Sequence, residues 1–125
     1  MVGVLTWAGV AFCGALGAVA RFRVDSAISA RLPSDFPAGT LAVNLTGSFA
    51  LGVLVGASAS HRLTLLLGVG FMGGYTTFST FQIETFEFAR DGHVALAIGY
   101  PAASIVAGMT LAVAGVMLAR WGRHW

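Results

Sequence analysis

Hydroxyls, one amide and two aromatic rings recur at helical spacing in this chain, and they suit the handling of a desolvated ion better than a reaction. The densest run is Gly73-Gly74-Tyr75-Thr76-Thr77-Phe78-Ser79-Thr80-Phe81. Phe78 and Phe81 stand three residues apart, on one helical face. Aromatic rings are electropositive at their edges, so these edges suit an anion that has lost its water. Taken alone, two phenylalanines at this spacing are ordinary core. Gly73 and Gly74 supply the freedom for an unwound turn, and the hydroxyls around them compete with the backbone for hydrogen bonds. Carbonyls freed there can hold a small cation such as sodium, as interrupted helices do in transporters.

Asn44 lies among Leu41, Val43, Leu45 and Thr46. A buried amide is costly in hydrocarbon unless it is bonded, so Asn44 must face protein or water. Taken alone, it is more often helix–helix glue. Thr40, four residues earlier, shares its face. Tyr100, Ser104 and Gly108 form a partly polar stripe at i, i+4 and i+8 on an otherwise apolar stretch.

The ingredients of catalysis are missing. Glu84 and Glu87 fall at the end of an apolar stretch, where a carboxylate reaches the interface cheaply. His61, His93 and His124 also sit at span ends and read as interfacial. Cys13 is the single cysteine, which excludes an intrachain disulfide or a thiolate-rich metal site and leaves a small packing residue. A proton relay or an enzyme site has little to be made from here. The reading is a pore or binding path, not an enzyme.

The elements that hold these residues are membrane helices. Of 125 residues, 57% are hydrophobic and 10% charged, with a mean hydropathy of +0.83. A soluble domain carries about 25% charged residues. Windows 1–20, 36–60, 63–83 and 94–119 are free of Asp, Glu, Lys and Arg, and each meets or nearly meets the length of a membrane span. They leave no room for a soluble domain, so residues 1–125 are expected to form one all-α membrane domain of four helices. The glycine–hydroxyl run falls inside the third window. Unpaired backbone is tolerated in lipid only when buried in protein or lining a polar cavity, so the third helix is expected to be broken at the membrane midplane.

Ala18-Val19-Ala20 has the small residues of a signal cleavage site, but no basic residue precedes the apolar run, and the window is read as a span. The run from Pro33 to Pro37 breaks the chain before the second helix, and Arg90-Asp91-Gly92 forms a turn. Pro101 is placed to kink the fourth helix. Gly52 with Gly56, and Ser104 with Gly108, are small-residue faces that let helices approach closely. The net charge of +2 comes with seven scattered arginines, which offer no patch for nucleic acid.

With four spans, Arg62, Arg120 and Arg123 share one side, while Arg21, Arg23, Arg31 and Arg90 share the other. The positive-inside rule needs an imbalance, and three against four is almost none. One reading is a single topology fixed by something other than charge. The other is an antiparallel, dual-topology dimer.

Three runs resemble the CrcB/Fluc fluoride channels of bacteria. They are Gly14-Ala-Leu-Gly17-Ala-Val-Ala-Arg21, Gly39-Thr40-Leu-Ala-Val-Asn44-Leu-Thr-Gly47-Ser48-Phe49, and the stretch from Gly70 to Glu84. The resemblance covers essentially the whole chain in length, span count and motif order, and its most specific part is Gly73 to Phe81. It implies an antiparallel dimer with two fluoride pores at the subunit interface, and a central sodium ion held by backbone carbonyls of Gly73 and Thr76 from both subunits. It puts Asn44, Phe78 and Phe81 in the pore, Thr40, Thr77, Tyr100 and Ser104 on a polar track, and Arg21 near the vestibule. Gly108 falls where some relatives carry a further serine. The implied activity is passive fluoride export from the cytoplasm through the inner membrane, which lowers fluoride toxicity.

Two other classes compete. A small multidrug exporter also has four short helices, but it needs a carboxylate within its first span, and residues 1–20 have none. A scaffold subunit explains the glycine faces and a buried asparagine but not the run from Thr76 to Phe81. The balanced arginines favour a homodimer without excluding a heterodimer with a paralogue.

Overall fold

The structure, a computed structural model, describes residues 3–32 and 34–123. Pro33, expected to break the chain, and His124, expected at an interface, lie outside the described residues. The described residues are helical and contain no strand.

Helix α1 spans Val4–Arg31 and α2 spans Ala38–Gly56. Pro37 stands just before α2, where the missing N–H of proline costs nothing. The third stretch is assembled from short pieces. Ser60 caps α3 (His61–Leu63) by accepting from the Leu63 N–H at 3.3 Å. A π-helical segment, Thr64–Met72, follows, and then α4, Gly73–Tyr75. Thr76 and Thr77 are extended (φ −77, ψ 156 and φ −142, ψ 117), and α5 begins at Phe78 and runs to Arg90. Helix α6 spans Val94–Trp121 and continues through Pro101. Helices α1, α2 and α6 are long and apolar enough to cross a membrane, whereas window 63–83 falls on several elements.

The unwound turn does not lie at the two glycines. Gly73 has helical angles (φ −62, ψ −36), and both Gly73 and Gly74 lie in α4. The extension comes later, at two β-branched threonines whose side chains favour it. Gly74 serves close approach instead of flexibility, since a Cβ on it would run into the Gly14 carbonyl of α1. A Cβ on Gly73 would meet nothing within 4 Å.

Backbone-on-backbone packing also joins α2 to α6. A Cβ on Gly52 would strike the Ala112 carbonyl, and one on Gly115 would lie 2.8 Å from the Val53 nitrogen. Lipid gives such helices no hydrophobic reason to associate, so the close fit supplies the attraction. The α5–α6 turn closes on Gly92 (φ 81). Its N–H donates to the Ala89 carbonyl at 3.2 Å, and the His93 N–H donates to the Phe88 carbonyl at 2.8 Å. This is the paired bonding of a Schellman cap, at the turn expected from Arg90-Asp91-Gly92. The exposed Arg90 guanidinium beside Asp91 holds that carboxyl below its usual range.

Leu5, Phe12, Phe22, Ile98, Met109 and Met117 all point outward. Apolar surface on this scale, together with three long apolar helices, marks a multi-pass membrane protein.

Candidate functional site

The extended pair Thr76–Thr77 would leave peptide groups without helical partners, and α2 supplies one of the replacements. The Asn44 Nδ2 donates to the Thr77 carbonyl at 2.9 Å, and its Oδ1 accepts from the Thr77 N–H at 2.8 Å. One side chain thus satisfies both polar atoms of one residue's backbone, each of which would cost about 1–3 kcal/mol if buried unpaired. The Thr77 hydroxyl accepts from the Thr80 N–H at 3.3 Å, capping α5, and donates to the Thr80 hydroxyl at 2.9 Å. The Thr76 hydroxyl donates back to the Met72 carbonyl at 2.9 Å. Gly47 makes room for Thr76, whose methyl group would collide with any Cβ there.

A groove of about 470 Å³ opens beside this pair, lined by Asn44, Gly73, Thr76, Thr77, Phe78, Phe81 and Ser104 among others. Seven of the residues singled out by sequence therefore share one surface. The two phenylalanines differ sharply in setting. Phe78 is 71% exposed and Phe81 only 9%, with their ring centres 6.1 Å apart. The Ser104 hydroxyl donates to the Tyr100 carbonyl at 2.7 Å. Gly108 faces Ser48, whose Oγ lies 3.5 Å from the position of a Cβ.

Thr40 and Tyr100 are not on that groove. Both are buried, and both donate to Glu84, Thr40 to Oε1 at 2.6 Å and Tyr100 to Oε2 at 2.8 Å. Phe36, Phe81 and Phe88 surround the Tyr100 ring with centres 5.2 to 5.9 Å away, which fixes the direction of its hydroxyl. Arg21 lines a separate pocket of about 140 Å³ with Asp25, Thr40, Thr77 and Thr80. Thr40 and Thr77 therefore link the Arg21 pocket to the Glu84 cluster and to the main groove.

Glu84 is the residue that sequence reasoning passed over. Its position at a span end suggested a solvated carboxylate. The available signal was its register, three residues beyond Phe81 on the face that already carried Phe78.

Residues 8–116 match the family described as CrcB-like protein, Camphor Resistance (CrcB). The chain is 42% identical to a protein of Mycobacterium bovis named fluoride-specific ion channel FluC 2, over 94% of this chain and 90% of the relative. It is 44% identical to fluoride-specific ion channel FluC 1 of Nocardia farcinica, over 86% of this chain and 76% of the relative. With FluC 1 of Listeria innocua the identity is 38%, over 87% and 92%. The similarity runs through every element that carries the groove, and the chain belongs to the CrcB-like protein family.

Proposed function

We propose that this chain is the subunit of a fluoride-selective channel that lets fluoride leave the cytoplasm passively across the inner membrane. The observation that carries the reading is the groove in which an exposed aromatic ring, Phe78, stands beside the Asn44 amide and the Thr77 backbone. Fluoride is small and strongly hydrated, so a selective path must replace its water with donors. The Asn44 amide supplies one, the hydroxyls of Thr77 and Ser104 supply others by turning from Thr80 and the Tyr100 carbonyl, and the edges of Phe78 and Phe81 tolerate the ion while offering little to larger, softer anions. The proposed polar track leads from Ser104 and Thr77 on the groove to the buried Thr40 and Tyr100, which both donate to Glu84, with Arg21 near its mouth in the adjoining pocket. The relatives named as channels are not named as enzymes, and this chain is read the same way.

The working unit is an antiparallel dual-topology dimer with two pores. Three features support this: arginines balanced between the two sides, a groove that the single chain leaves open, and a Gly73 at which a Cβ would meet nothing within 4 Å. The stretch from His61 to Arg90 is read as the third span, a helix broken at Thr76–Thr77. Sodium fits the carbonyl oxygens of Gly73 and Thr76, which are hard neutral donors suited to a small monovalent cation. When bound between the two subunits, it would supply positive charge and hold the broken spans together. A paralogous chain in place of the second copy is the alternative assembly.

Fluoride leaves because hydrofluoric acid enters through lipid and ionises inside. The test is efflux from liposomes containing the purified protein, followed with a fluoride electrode and repeated with chloride. Rapid fluoride release with negligible chloride release is expected. A folded dimer that releases no fluoride would overturn the homodimeric channel.

A further inference from the structure

We infer that Asn44 and the Thr77 hydroxyl are the positioning residues of the sodium site: each captures a backbone N–H and thereby leaves a carbonyl free to face the cation. This rests on the sodium reading above and assigns to this chain's own side chains the work of creating the site.

In an unbroken α-helix each N–H donates to the carbonyl four residues earlier. Thr77 would then donate to the Gly73 carbonyl, and Thr80 to the Thr76 carbonyl. Neither bond is made. The Thr77 N–H goes to Asn44 Oδ1 at 2.8 Å, and the Thr80 N–H goes to Thr77 Oγ1 at 3.3 Å. The Thr76 N–H, which a tighter turn would offer to Gly73, is held by the Met72 carbonyl at 2.9 Å. The two diverted bonds release the carbonyls of Gly73 and Thr76, the pair assigned to sodium.

Other contacts keep the arrangement from relaxing. Asn44 Nδ2 holds the Thr77 carbonyl at 2.9 Å, so the residue is gripped from both sides. The Thr77 hydroxyl gives its proton to the Thr80 hydroxyl at 2.9 Å, which turns a lone pair towards the Thr80 N–H. The Thr76 hydroxyl is turned away, onto the Met72 carbonyl. A Cβ on Gly73 would meet nothing within 4 Å, so space beside it is open.

Asn44 therefore has two separable roles. Its oxygen and one amide N–H hold the Thr77 backbone beside the cation site, and its second amide N–H is left for the anion path. Asn44→Leu keeps the approximate shape and loses the oxygen. Thr77→Val removes the other diverting group, and Thr77→Ser retains it.

The experiment measures thermal unfolding of the purified dimer, dialysed free of sodium into N-methylglucamine chloride, as sodium is titrated in. The wild type is expected to show saturable stabilisation by sodium. Asn44→Leu and Thr77→Val should each raise the half-saturating sodium concentration at least about tenfold, the scale of one lost favourable contact. Thr77→Ser should stay within about threefold of the wild type, a margin small on the same scale. If Asn44→Leu does not fold, the Thr77→Val and Thr77→Ser pair decides the matter alone. Wild-type sodium dependence in a folded Asn44→Leu or Thr77→Val dimer would overturn the inference and leave the sodium reading standing. A wild type indifferent to sodium would overturn both.

Discussion

The Asn44 side chain holds the Thr77 backbone by both of its polar atoms, donating to its carbonyl at 2.9 Å and accepting from its N–H at 2.8 Å. A residue of α2 thus fixes the geometry where the chain leaves α4 and enters α5. The same amide borders the groove that contains Phe78.

Replacing Asn44 with Asp should abolish fluoride flux, with a fall of at least about 100-fold, because an ordinary amide donor is exchanged for an oxygen that repels anions. Liposome efflux measures this directly. Wild-type flux in the variant would remove Asn44 from the path.

Phe78→Ile should reduce fluoride flux by at least about tenfold, the equivalent of one aromatic-edge contact. The single chain should still fold, since Phe78 is 71% exposed within it. Gel filtration and efflux on one preparation separate the two effects. Unchanged conduction would mean that Phe78 is packing alone.

The neighbouring glycines should respond differently. Gly74→Ala drives a methyl group into the Gly14 carbonyl, so the fold of the single chain should suffer and yield should drop. At Gly73 a Cβ would meet nothing within 4 Å, so the damage of Gly73→Val should fall chiefly on the dimer and on sodium binding. A normal Gly73→Val dimer with normal flux would sink the proposed subunit interface.

Tyr100→Phe removes one of the two hydroxyls held by Glu84. The carboxylate is only partly buried, so water offsets part of the loss. The expected cost is about 1 kcal/mol of stability, read as a lower unfolding midpoint. An identical midpoint would mean that water replaces the tyrosine hydroxyl completely.

Much of this arrangement could be read from the chain. Asn44 had to find a polar partner because an amide cannot sit unbonded in an apolar helix. The Arg90-Asp91-Gly92 turn was legible because glycine accepts the left-handed conformation that ends α5. Gly74 was misread for a definable reason: composition does not say whether a glycine is there to bend or to be approached. Only the position of the Gly14 carbonyl separates the two. Glu84 was obscured because its partners, Thr40 and Tyr100, come from two other helices. The π-helical winding of Thr64–Met72 has no signature in an unbroken apolar run.

The extended threonines have one more effect. The helical run from His61 ends at Tyr75 and α5 begins at Phe78, so two macrodipoles meet nose to tail across Thr76 and Thr77. The negative end of one and the positive end of the other, each equivalent to about half an elementary charge, lie a few residues apart. Between Arg62 and Glu84 the sequence has no charged side chain. The protein nevertheless has a polar centre there, in which these backbone dipoles add to the Asn44 amide and the threonine hydroxyls.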